Sequence, residues 1–196
     1  MRKMYNERHI RKEEMATNLD VLRELDKRGV LDNELSRELE RLEAKNKGLE
    51  VLMNQLNKYA KNHWMYMIDV SMDHYNILNC DVLLLTSTSL YTFEINHYAG
   101  LFEFKSGESS LNGKNLEQYP MAQSISSQLK SLATMNSIPL NIRGVAVFTN
   151  PKNKVQIYDE INDIEIVDAK QLETFIKNII REENEQKNRS KINPMH

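Results

Sequence analysis

Between Asp32 and Tyr59, leucine and methionine recur in alternating steps of four and three, at Leu35, Leu39, Leu42, Leu49, Met53 and Leu56, with the polar Asn46 in the same seam. That spacing predicts one helix with a narrow apolar stripe, either a coiled-coil strand of about three heptads or one arm of a helical hairpin. A second stripe, Met15, Leu19, Leu22 and Leu25, predicts a preceding helix over 4–28, ended by Gly29, with Asp32 or Asn33 capping the next. Past Tyr59 the period changes from helical to strand-like. His63–Met72, Asp81–Thr86 and Leu90–Asn96 read as strands, with turns at Asp73–Asn76 and Ser87–Ser89. In Leu101–Lys105, Phe102 and Phe104 alternate with charged or exposed-type neighbours, which predicts an edge strand, and the polar run 106–115 reads as a loop.

Pro120 introduces a helical stripe through Met121, Ile125, Leu129 and Leu132, and Pro139 stops it. Ile142–Thr149 has the continuous apolar character of a strand covered on both faces, followed by short strands at Val155–Tyr158 and Ile164–Val167. Asp168 can cap a last helix, Lys170–Glu183; the polar remainder predicts disorder. The expected fold is therefore α/β, a mixed central sheet flanked by helices. Its expected limits are an N-terminal helical, possible coiled-coil arm over 1–46, a domain over 47–183 and a disordered tail over 184–196.

Composition narrows the function classes. The chain has 196 residues, 40% of them hydrophobic, enough for a real core, and a net charge of -2. Within 48–168 there are 8 lysines and arginines against 13 acidic residues, so no basic face for tight non-specific nucleic-acid binding is evident. The single cysteine, Cys80, excludes an intramolecular disulfide and reads as a small buried residue; the expected compartment is a reducing cytoplasm. The basic start, MRKMYNERHIRKEEM, lacks the apolar run of a secretory signal, and no apolar stretch approaches the roughly 20 residues that span a membrane.

The candidate chemistry lies in Asn79–Gly100, NCDVLLLTSTSLYTFEINHYAG. Asp81 opens one predicted strand and Glu94 stands inside the next, in a run otherwise suited to burial, where an unpaired carboxylate is costly. Two carboxylates meeting at one end of a sheet can hold Mg²⁺ or Mn²⁺ and leave room for water and a substrate phosphate. A lysine two residues after the second acid would point the same way along the strand. Asn96 holds that place. His97 follows on the other side of the predicted strand and reads as structural, and Trp64 as core.

At these residues the chain resembles the nuclease-related domain (NERD) family, a branch of the PD-(D/E)xK superfamily with the restriction-endonuclease-like fold. The matching text is GLE at Gly48–Glu50, DVLLLT at Asp81–Thr86, EINHYAG at Glu94–Gly100, YPMAQ at Tyr119–Gln123 and VAVFTN at Val145–Asn150, covering about 46–168. The resemblance implies a metal-dependent DNA phosphodiesterase, with Glu50, Asp81 and Glu94 as Mg²⁺ or Mn²⁺ ligands, the Ile95 carbonyl as a further ligand, and Gln123 facing the site. It departs at the family's Glu-Val-Lys, written here Glu94-Ile95-Asn96. Asparagine supplies no charge and cannot act as a base, so the expectation is weak or lost cleavage, with Lys105 or Lys114 as the nearest replacements in sequence. The rival expectation is a non-catalytic module that binds nucleic acid or another protein and forms a homodimer through the N-terminal helices.

Overall fold

A computed structural model describes residues 18–74, 76–105, 108–116, 121–159 and 164–192. The first helix, α1, is described over 18–27 and ends where predicted: Gly29 takes φ +67°, and the Val30 and Gly29 amides return to the Leu25 and Asp26 carbonyls. Asp32 then caps α2 (Asn33–Tyr59), its side chain accepting from the Leu35 amide at 2.8 Å. Leu19 and Leu22 of α1 are buried against Leu39 of α2, with Leu31 and Leu42 alongside. The two helices therefore form a hairpin, and the stripe read from the sequence is used within the chain. Met15 lies outside the described residues.

After α2 come β1 (Met65–His74), β2 (Asn76–Leu85), β3 (Ser89–Asn96), β4 (Leu101–Lys105), β5 (Glu108–Leu111), β6 (Lys114–Asn115), α3 (Met121–Met135), β7 (Asn141–Phe148), β8 (Lys154–Ile157), β9 (Ile164–Asp168) and α4 (Leu172–Ile192). The α/β expectation holds, but the strands form two mixed sheets. The larger has order β1-β2-β3-β7-β9, antiparallel through β3 and parallel beyond it; the smaller has order β6-β5-β4-β8. One face of the larger sheet (Val82, Leu84, Tyr91, Val145, Val147) packs on Leu52 and Leu56 of α2 and Ile176 and Ile179 of α4. On the other face, α3 covers Leu83 and Leu90 through Ile125 and Leu129, while the smaller sheet covers Ala146 and Phe148. At roughly 1.5–3 kcal/mol per fully buried large side chain, this core outweighs the surface ion pairs of α1 and α2, worth about 0–1 kcal/mol each.

Several expectations are corrected. Leu101–Lys105 is not an edge strand: β4 is an inner strand of the smaller sheet, with Phe102 and Phe104 both buried and packed on Phe148. Alternating phenylalanines mark one covered face equally well at the centre of a small sheet. Part of the 106–115 run is β5 and β6. The predicted disordered tail is helical through Ile192, because Glu, Gln, Lys and Arg are good helix formers whether or not they meet a core. The expected boundary between 46 and 47 falls inside α2, which is one continuous helix joining the hairpin to the sheet. Among the described residues, no helix is long and apolar enough to cross a membrane.

Candidate functional site

Gly48 stands in the interior of α2, where glycine costs about 1 kcal/mol relative to alanine. The reason is contact. A Cβ there would lie 2.4 Å from Ile95 Cγ2 and 2.9 Å from Thr149 Oγ1, so the missing side chain lets α2 close on the end of β3. Residues three and four positions back share that helix face. Lys45, three back, and Arg41, a further four back, are therefore carried over the end of β3 and the middle of β1 and β2.

There the ladder is irregular. The β1/β2 register sets Ile68 opposite Val82 and Val70 opposite Cys80, which places Asp69 across from Asp81. Asp69 has φ +57°, a left-handed conformation uncommon outside glycine and asparagine or aspartate. Both strands change faces at this position: Ile68 and Val82 pack in the core under α2 and α4, whereas Val70 and Cys80, two residues away, pack on the α3 side. Two opposed carboxylates repel. Lys45 Nζ lies between them, 2.7 Å from Asp69 Oδ1 and 2.9 Å from Asp81 Oδ1. Burial presses the lysine toward neutrality, but the Asp81 charge and the hydrogen bonds to both acids outweigh it and raise its pKa. Lys45 is a fixed cation rather than a resting base. The other Asp81 oxygen, Oδ2, accepts from the Ile95 amide at 2.7 Å.

These residues border a pocket of about 480 Å³ whose lining includes Arg41, Lys45, Asp69, Asp81, Glu94 and His97. Asp81 and Glu94, the two acids singled out in the sequence, are thus brought to one cavity. Glu50 is not among its lining; it is exposed, two residues and about 200° around α2 from Gly48. Asn96 is also outside the lining, its side-chain oxygen accepting from the Tyr98 amide at 3.1 Å. The side chain of Gln123 lies outside the described residues. Lys105 is placed over the Tyr158 ring, 5.9 Å from its centroid, and Lys114 is on β6; both belong to the smaller sheet. His97, read as structural, does both things: Nδ1 is 2.9 Å from Thr149 Oγ1, and the ring borders the pocket because β3 has ended at Asn96 and the alternation with it. Burial, then the nearby Lys47 charge, lower the His97 pKa.

No family model, curated protein or solved structure matches the chain. Among the described residues, no three histidine, cysteine, aspartate or glutamate side chains form a group that could hold a metal ion. Both Asp81 oxygens are engaged by protein donors, and Glu50 is turned away. As arranged, the set does not fit Mg²⁺ or Mn²⁺.

A second charged cluster lies where β1 begins and β2 ends. Glu183 of α4 is buried, its carboxylate accepting from Trp64 Nε1 (2.9 Å), the Ser87 amide (2.7 Å) and Ser87 Oγ (2.6 Å), with His63 Nε2 at 3.2 Å. Burial raises the Glu183 pKa, but these hydrogen bonds together prevail and bring it down to about 2. The histidine and the serine both face the carboxylate rather than each other, so this is an anchor and not a nucleophile with its base. The sequence offered Glu183 only as a helix end.

Proposed function

We propose that the chain is a nuclease-related protein of restriction-endonuclease-like architecture, with a phosphodiesterase site kept in outline and cleavage weak or lost. The observation that carries this reading is the joint placement of Asp81 and Glu94 at one pocket while Asn96 turns its side chain away. The positions of the matching segments support it: Gly48 lies on a helix that closes over the pocket, Asp81 and Glu94 on neighbouring antiparallel strands, and Val145–Phe148 on a strand parallel to β3. Without a metal-ready ligand set, the residues present can bind and orient but give no route to an ionised attacking water. Arg41 and Lys47, both exposed on α2, offer cations to a nucleic-acid backbone. So small a set implies weak DNA binding that falls steeply with salt.

The test is incubation with plasmid and single-stranded DNA in Mn²⁺, alongside a DNA-binding measurement. Wild type should bind DNA weakly and cut at most barely above buffer, and Asn96→Lys combined with Lys45→Met should raise cutting in a Glu94-dependent way. Cleavage that survives Glu94→Ala would refute the reading, as would failure of both wild type and that double variant to bind or cut DNA. A homodimer through the N-terminal helices would have to use exposed residues such as Val21, Val30 and Leu35, since Leu19, Leu22 and Leu39 are buried together.

A further inference from the structure

We infer that Lys45 serves as the resident cation of this pocket, taking the place between Asp69 and Asp81 that a divalent ion would otherwise hold, and that it keeps such ions out. The inference deepens the reading above, which explains why a divalent ion is the cation to test. Three independent features support it. The ammonium reaches both acids at once, at 2.7 and 2.9 Å, from a helix held close by Gly48. Asp69 adopts a left-handed backbone at the point where both strands change faces, so the opposed pair is built into the ladder rather than made by flexible surface side chains. The remaining Asp81 oxygen is closed by the Ile95 amide, so a metal could reach that carboxylate only by displacing a protein donor.

A lysine also differs from a metal in what it allows. It gives one positive charge and three hydrogen-bond donors, and it has no open coordination position for a water or a phosphate oxygen. Lys45 therefore satisfies the two acids electrostatically and holds the kinked strands in register, without the chemistry a metal would bring. It acts here as a positioning residue.

The experiment compares Mn²⁺ binding by calorimetry, and thermal stability in Mn²⁺ against EDTA, for wild type, Lys45→Met and Lys45→Met with Asp81→Asn. Wild type should show no Mn²⁺-dependent rise in Tm. Lys45→Met should bind Mn²⁺ at least about tenfold more tightly than wild type and gain stability from it, and Asp81→Asn should remove that gain. A merely structural lysine would lower Tm on removal without creating metal dependence. Equal Mn²⁺ affinity in wild type and Lys45→Met overturns the inference. Should Lys45→Met fail to fold, Lys45→Gln is measured in its place: tighter Mn²⁺ binding than wild type that Asp81→Asn removes upholds the inference, and affinity equal to wild type overturns it. None of these readouts is cleavage, so loss of the nuclease reading would appear separately, in the DNA assays.

Discussion

The two charged clusters of the larger sheet handle the same problem differently. At one, Glu183 is a lone carboxylate surrounded by donors, mostly neutral, from Trp64 and Ser87. At the other, Asp69 and Asp81 face each other and are bridged by one lysine beside a cavity of about 480 Å³. The first is closed and joins α4 to the β1 start and the β2–β3 turn. The second has two opposed acids bridged by Lys45 and opens onto the cavity. Buried charge alone does not separate the two clusters; what distinguishes the second is a repelling pair that a charged side chain bridges.

The largest expected effect is at the closed cluster. Glu183→Gln should cost about 3 kcal/mol in urea unfolding, since the folded carboxyl titrates near 2 against 4.5 when unfolded. A folded pKa below the unfolded one makes this contribution complete above pH 4.5 and lost as pH falls toward 2. The variant should accordingly be the less stable protein at neutral pH, and the two stabilities should converge in acid; parallel curves would show that the network does not depend on charge. Lys45→Met should cost less, about 2 kcal/mol in EDTA, because its site is only half-buried and water can partly solvate the freed acids. A loss at Lys45 larger than that at Glu183 would reverse the comparison.

Much of this architecture was legible because burial imposes a period. The inner strand at Ile142–Thr149, the cap at Asp32 and the terminator at Gly29 follow from local rules that tertiary contacts did not oppose. Asp81 and Glu94 were legible because acids in apolar strands need a reason. Lys45 was not, since it stands in a charged stretch of a helix whose stripe suggested a coiled coil, and nothing singled out Asp69 within the predicted strand His63–Met72. One signal could have found Lys45. Gly48 costs helix stability unless something lies against it, so the face three and four residues back is the face that meets the sheet; Glu50 is on the other side. The smaller sheet was missed because its strands are two to five residues long, too short for a period to separate an edge from a centre.

Gly48→Ala tests whether that close approach matters. Alanine gains about 1 kcal/mol in helix propensity, yet its Cβ must push Ile95 and Thr149 aside, at about 1–3 kcal/mol for overpacking. The net loss should be about 1 kcal/mol by urea unfolding. A stabilised Gly48→Ala would mean that α2 shifts freely on β3, and that the reach of Lys45 is not set by this contact.

The smallest expected change is the most discriminating. Asp69→Asn keeps a side chain that tolerates the left-handed backbone and still accepts from Lys45, while removing one of the two opposed charges. With Lys45 present the loss of attraction and the relief of repulsion nearly cancel, so stability should move by less than about 0.5 kcal/mol. With Lys45→Met already in place the lysine's attraction is gone while the repulsion persists, and the same Asp69→Asn change should recover about 1 kcal/mol. The double-mutant cycle therefore predicts coupling of about 1 kcal/mol between positions 45 and 69, with Asp69→Asn stabilising only once Lys45 is gone. Additive effects would show that Asp69 and Asp81 do not repel across the strands, and the contrast between the open and the closed cluster would disappear.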